Sequence, residues 1–212
     1  DTLLAVGTSL YQGHFRQAIP DAENKVIIHC TNDAEDINRI YPVDCAVLGD
    51  ARLTLEALLE ELQRRAPRAN KPQLRAMIAA RKQDMMSAYA PALASNETPI
   101  NPYRVYADMF RVLDPQNSFV THDSGGTRDQ LSTIIETQIP HGFMGWGNVS
   151  TLGFGLAAAM GAKLAYPQRQ VVNVTGDAGV GYMLGNMEAL VRAGIGVTTV
   201  HINNGGFGGY GP

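Results

Sequence analysis

The chain has 212 residues, 45% of them hydrophobic and 17% charged, with a formal net charge of -3. That length supports one large or two small domains, and the composition supplies a sizeable core and excludes a disordered chain. No basic block points to nucleic acid, and no apolar run reaches the ~18 residues of a membrane span.

Asp1 leads directly into "TLLAVG", which reads as a core strand without a Met or a signal segment. The far end stops at "GGYGP", just after a strand and a glycine loop. The chain is therefore expected to be a piece of a longer polypeptide. Three buried strands are predicted early, "LLAV" (3–6), "KVIIHC" (25–30) and "DCAVLG" (44–49), with a short helical or irregular piece at 33–40. Cys30 and Cys45 lie in or beside these apolar runs. They are expected to be reduced, buried thiols of a cytoplasmic protein, with no metal spacing or disulfide framework. "ARLTLEALLEELQRR" (51–65) places Leu55, Leu58, Leu59 and Leu62 on one helical face, with Asp50 as its N-cap. The β-α-β-α rhythm predicts a parallel sheet.

Residues 67–100, between "APRANKP" and "APALASNETP", read as a linker with one helix from about Gln73 to Tyr89. A second α/β section, 101–212, opens with an amphipathic helix that carries Pro102 in its first turn. Strand 117–122 then turns through "DSGGTRDQLSTII" into a helix. The loop "HGFMGWGNVST" leads to an apolar helix at 152–165, followed by strand 170–175, a helix near 184–193 and strand 197–202.

The last two strands end in Gly176-Asp177 and in Asn203-Asn204. One helix and short turns join them, so they form a βαβ unit, run the same way and end at the same carboxyl edge. Ligands bind at that edge of an open parallel sheet. A carboxylate and a carboxamide are hard oxygen donors, and with a backbone carbonyl they suit Mg²⁺ or Ca²⁺. Gly176, Gly179, Gly181, Gly205 and Gly206 are expected to let backbone approach a ligand, and the helix after Asp177 adds a partial positive charge that favours phosphate. Read singly, Gly-Asp and Asn-Asn-Gly-Gly are ordinary turn chemistry.

Gly176-Asp177-Ala178, 24 residues, then Asn203-Asn204 resembles the motif of thiamine-diphosphate-dependent enzymes, with Ala178 in place of the motif's last glycine. The resemblance implies that Asp177, Asn204 and the carbonyl of Gly206 bind Mg²⁺, which holds the cofactor diphosphate, with Gly176, Ala178 and Gly179 beside it. "THDSGGTRDQL" is similar to the family's diphosphate-gripping loop, which implies phosphate contacts from Ser124, Gly125, Gly126 and Thr127. "STLGFGLAAAMGAKLA" is similar to the segment whose bulky apolar residue props the cofactor into a V; this implies Leu152 in that role, with backbone of Ser150 and Leu152 at the aminopyrimidine. Residues 1–66 look like the later half of the family's middle domain, and 101–212 like its diphosphate-binding domain. Both would be Rossmann-like three-layer α/β domains, and both incomplete.

The resemblance is greatest to acetolactate synthase and its relatives, and implies a decarboxylase or carboligase that takes a 2-keto acid. A lyase on a 2-hydroxyacyl-CoA or oxalyl-CoA type substrate is the neighbouring alternative. The full-length chain would be a homodimer or homotetramer. The glutamate that such enzymes need at the aminopyrimidine belongs to an N-terminal domain that this sequence lacks, since Glu136 and Glu188 lie in the wrong stretches; the chain alone is expected to be inactive. FAD or ADP on the first section is undecided by "GTSLYQGHF". Two other classes stay open: a non-catalytic nucleotide- or FAD-binding module, and an NAD-dependent dehydrogenase built on "GFGLAA". His122, His201, Phe143, Trp146 and Met183 are further candidates for the surroundings of the site.

Overall fold

The computed structural model describes residues 1–11, 18–65, 71–147 and 149–206. The chain divides into two compact units, Asp1–Leu74 and Arg75–Pro212.

In the first unit, β1 (Thr2–Val6), β2 (Val26–Thr31) and β3 (Cys45–Leu48) form a parallel sheet in that order. The middle strand is the buried one: Ile27, His29 and Cys30 are almost fully shielded. Cys45 departs from expectation. Both cysteines are free thiols, but Cys45 is exposed because it opens the outer strand β3, which no further described strand flanks. Helix α1 (Ala51–Arg65) begins where Asp50 accepts a hydrogen bond from the Leu53 amide at 2.9 Å, which satisfies one of the orphan donors of its first turn. Its leucine stripe forms as predicted, yet Leu55, Leu58, Leu59 and Leu62 are all exposed. Residues 12–15 of the undecided "GTSLYQGHF" lie outside the described residues.

Helix α2 (Pro72–Leu93) is longer than predicted and has no buried residue. The second unit is built on a four-stranded, all-parallel sheet in the order β5-β4-β6-β7, with β4 (Ser118–His122), β5 (Phe143–Met144), β6 (Gln170–Gly176) and β7 (Thr198–Ile202). Helix α3 (Pro102–Val112) starts at Asn101, whose side chain accepts from the Tyr103 amide at 3.0 Å. Together with α4 (Gly126–Ile134) it covers one face of the sheet. Tyr106, Met109, Leu131 and Ile134 pack there on Val120, Val172 and Val174. Burial pushes the Tyr106 phenol above its ordinary range, and its hydroxyl is hydrogen-bonded to Gln130 at 2.9 Å. The alternate strand positions, Phe119 and Val171, face the other side and meet Ala159 and Ala162 of α5 (Phe154–Ala165). Small residues on α5 let the helix lie close to the sheet. Each fully buried large side chain contributes roughly 1.5–3 kcal/mol, so the three layers are held from both faces.

After β6 the chain differs from the reading. It turns at once into α6 (Asp177–Met183), then a short 3-10 turn, then α7 (Met187–Arg192), instead of a single helix near 184–193. Strand order also reverses at β4: the chain leaves it toward β5 and returns, past α5, to β6 on the other side. This reversal opens a crevice between the loops after β4 and β6, the place where open parallel sheets hold ligands.

Candidate cofactor and metal site

A cleft of about 530 Å³ occupies that crevice. The loop after β4 supplies Ser124, Gly126 and Thr127; the turn before α5 supplies Ser150 and Leu152; the loop after β6 supplies Gly176 to Gly179; and the end of β7 supplies Ile202, Asn204 and Gly206. Pro102, Gln130 and Tyr182 complete the wall. Of the predicted residues Gly125 does not line the cleft, nor do Gly181 and Gly205. Gly125 caps α4 from the left-handed half of backbone space, at φ 90°. Helix α4 begins in this loop, and the free N–H groups and dipole of its N-terminal end favour an anion.

Asp177 and Asn204 meet. The Asn204 amide N–H donates to Asp177 Oδ2 at 3.3 Å, and His201 Nε2 lies 3.1 Å from Asp177 Oδ1. The Asn204 side chain points its oxygen at two other acceptors, Asp177 Oδ2 and the Gly206 carbonyl; turned over, its nitrogen would donate to both at 2.6 Å. The Asp177 carboxylate, the Asn204 carboxamide and the Gly206 carbonyl thus converge, with the backbone N–H groups of Asn204 and Gly206 donating to Asp177 Oδ2 at 3.3 Å and to Asn204 Oδ1 at 3.4 Å. With its nitrogen inward the amide closes this group by hydrogen bonds; with its oxygen inward it adds a third oxygen donor for a cation. Carboxylate, carboxamide and carbonyl are the donors that a hard divalent ion takes. Among the described residues no cluster of three His, Cys, Asp or Glu exists, so the donor set is an oxygen set and not a soft one.

Residues 123–211, which include the loops of this cleft, match the family described as "Thiamine pyrophosphate enzyme, C-terminal TPP binding domain". This stretch of the chain belongs to the C-terminal TPP-binding domain family of thiamine pyrophosphate enzymes. Its relatives include the "Probable acetolactate synthase large subunit" of Methanocaldococcus jannaschii, 29% identical over 84% of this chain and 30% of that protein. The acetolactate synthase large subunit of Parasynechococcus marenigrum is 31% identical over 96% of the chain and 32% of its own length. Benzoylformate decarboxylase of Pseudomonas aeruginosa is 28% identical over 98% and 36%. The chain spans about a third of the length of these relatives.

In this thiamine pyrophosphate enzyme domain, one carboxylate that the sequence reading passes over holds the cleft together. Asp123 is 1% exposed. It accepts hydrogen bonds from the backbone N–H groups of Ser124 at 2.8 Å, Gly153 at 3.0 and 3.1 Å, and Gly155 at 3.0 Å. A buried charge is tolerated when its oxygens are filled in this way. The bonds tie the β4 loop to the turn carrying Leu152, and a hydrogen bond between the Ser124 and Ser150 hydroxyls ties them again. The signal was available: Asp123 follows a buried strand and precedes Ser-Gly-Gly, much as Asp177 follows β6.

Leu152 sits in the turn before α5, not at the helix start, and is 36% exposed at the cleft wall. An apolar side chain left at a polar cleft is available to a ligand. Gly179 has a packing reason as well as the predicted one. A Cβ there would lie 2.2 Å from Thr175 Oγ1 and 2.6 Å from Asp123 Cγ. At Gly176, Gly181 and Gly206 an added Cβ would meet nothing closer than 4.0 Å, so protein packing does not demand glycine.

The remaining candidates divide. His201 touches Asp177, but His122 is buried behind the cleft, where its Nδ1 donates to the Asp123 carbonyl at 3.0 Å and its ring packs on Phe143. Burial holds the His122 imidazole below its ordinary value, and the Asp123 hydrogen bond only partly offsets this. Trp146 is buried with the Arg128 guanidinium 5.2 Å from its ring centre, and Met183 packs on Gly153. None of Phe143, Trp146 and Met183 lines the cleft. Glu136 pairs with Lys82 and Glu188 with Arg192, so among the described residues no glutamate lines the cleft either. "GFGLAA" follows a turn instead of a strand and so lacks the strand–turn–helix setting of a dinucleotide loop. No helix among the described residues is long and apolar enough to cross a membrane.

Proposed function

We propose that the chain is the diphosphate-binding part of a thiamine-diphosphate- and Mg²⁺-dependent decarboxylase or carboligase that acts on a 2-keto acid. The observation that carries this reading is the convergence of the Asp177 carboxylate, the Asn204 side-chain amide and the Gly206 carbonyl at the wall of the cleft. These three groups would hold Mg²⁺, with phosphate oxygens and water completing its shell. The backbone N–H groups of Gly125 to Thr127, at the start of α4, would take the diphosphate beside Ser124, with Gly176, Ala178 and Gly179 along its other side. Leu152 would support the bend of the cofactor, and the backbone at Ser150 and Leu152 would face its aminopyrimidine. When bound, thiamine diphosphate supplies a carbon nucleophile that adds to the keto carbon and accepts the electron pair released with CO₂.

The chain's own residues therefore orient and neutralise; they do not supply the proton relay. The glutamate for that relay is expected from a separate domain of a second subunit in a dimer or tetramer of the full-length protein. The names of the relatives, acetolactate synthases and a benzoylformate decarboxylase, support the 2-keto acid class. Calorimetric titration with thiamine diphosphate and Mg²⁺ tests the reading. Binding that requires Mg²⁺ and disappears in Asp177→Ala is expected, as is no turnover of pyruvate by these 212 residues alone. Tighter binding of NAD or FAD, insensitive to Asp177→Ala, would overturn it.

A further inference from the structure

We propose that His201 is a positioning residue that makes Asp177 a one-oxygen ligand and so selects a small octahedral cation over a larger one. The inference rests on the metal reading above. Asp177 has two oxygens, and they face different partners. Oδ2 faces the Asn204 side chain, which also reaches the Gly206 carbonyl, and accepts the Asn204 backbone N–H at 3.3 Å; Oδ1 is engaged by His201 Nε2 at 3.1 Å. His201 lies on β7, hydrogen-bonded along β6, and Asp177 opens α6, so the contact bridges the two elements that carry the ligands. With Nε2–H donating to Oδ1, the carboxylate plane is set and Oδ1 is withheld from the ion. Mg²⁺ and Mn²⁺ accept that arrangement, because they take carboxylates one oxygen at a time in near-octahedral shells. Ca²⁺ loses by it, because its larger and looser shell gains from both oxygens. Outer-shell hydrogen bonds of this kind commonly change metal affinity by about 10- to 100-fold.

The test uses Mn²⁺ alone, followed by electron paramagnetic resonance, with Ca²⁺ as competitor, on the 212-residue chain and on Asp177→Ala, His201→Ala and His201→Gln. Asp177→Ala should lose Mn²⁺. His201→Ala should weaken Mn²⁺ by about 10-fold or more while Ca²⁺ weakens less, so the Mn²⁺/Ca²⁺ preference falls. His201→Gln, which keeps an N–H donor, should restore most of that preference. Loss of both ions in equal proportion without rescue, or no change in His201→Ala, would overturn the role of His201 and leave the metal reading intact. Wild-type binding by Asp177→Ala would instead overturn the metal reading, and this inference with it.

Discussion

Two carboxylates stand at the same edge of the same sheet, Asp123 after β4 and Asp177 after β6, and their surroundings assign them opposite tasks. Asp123 is sealed from solvent and faces only N–H donors, from Ser124, Gly153 and Gly155. Nothing is left over for a ligand. Asp177 is partly open, meets His201 with one oxygen and the Asn204 backbone N–H with the other, and stands beside the Asn204 carboxamide, which also reaches the Gly206 carbonyl. A buried carboxylate filled by N–H donors is a fastening. An open carboxylate beside a carboxamide and a carbonyl can share a hard cation with them. The loop after β4 thus shapes the cleft, and the loop after β6 is equipped to hold something in it.

The largest expected effect separates the two. Asp123→Ala strands several buried N–H donors, at ~1–3 kcal/mol for each left unsatisfied. A loss of about 3 kcal/mol or more in urea unfolding is expected, together with loss of cofactor binding as the Leu152 turn comes free. Asp177→Ala should leave stability within about 1 kcal/mol, since its bonds are exposed and weak, while Mg²⁺-dependent binding disappears. If Asp177→Ala unfolds the chain and Asp123→Ala does not, the division of labour is wrong.

A smaller effect probes the contact between the two regions. Gly179 of α6 lies against Asp123 and Thr175 so closely that no side chain fits. Gly179→Ala must push α6 away from the sheet, and overpacking of this kind costs roughly 1–3 kcal/mol. Because Asp177 is on the same short helix, the affinity for thiamine diphosphate should fall by more than the stability loss explains. Gly181→Ala, with nothing within 4 Å of the new methyl, is the control and should leave both unchanged.

How much of this was legible depends on whether the information is local. Asp177 and Asn204 could be paired from the sequence because a βαβ unit delivers both strand ends to one edge whatever the side-chain details. The parallel α/β architecture follows from the same rhythm. The place of Asp123, after a buried strand and before Ser-Gly-Gly, is marked in the sequence, but its task is not, because its partners at 153 and 155 contribute only backbone N–H groups. The start of α6 at Asp177 runs against propensity: Gly179 and Gly181 disfavour a helix, and close packing on Asp123 and Thr175 overrides it. The leucine stripe of α1 predicts a helix correctly but says nothing of what covers the stripe. Cys45 looks buried from its apolar neighbours, and only strand order shows that β3 is an edge. Glycine at 179 is readable as a ligand-side requirement, whereas the structure shows a packing requirement as well.

The smallest expected effect concerns protons, and it bears on the fastening region alone. Burial depresses the His122 imidazole below its ordinary value of 6.5, and its Nδ1 donates to the carbonyl of Asp123. A depressed folded value means that the unfolded chain binds this proton first as the pH falls. The stability due to neutral, buried His122 is therefore complete above about 6.5 and is lost as the pH falls below that toward the folded value, with a slope no steeper than about 1.4 kcal/mol per pH unit. Urea unfolding at pH 7.5 and pH 5.5 should show the loss in the wild-type chain. His122→Gln, which keeps an N–H for the Asp123 carbonyl and cannot titrate, should flatten it. If the slope survives that substitution, the proton responsible binds elsewhere, and the pH response would then not report on the Asp123 fastening at all.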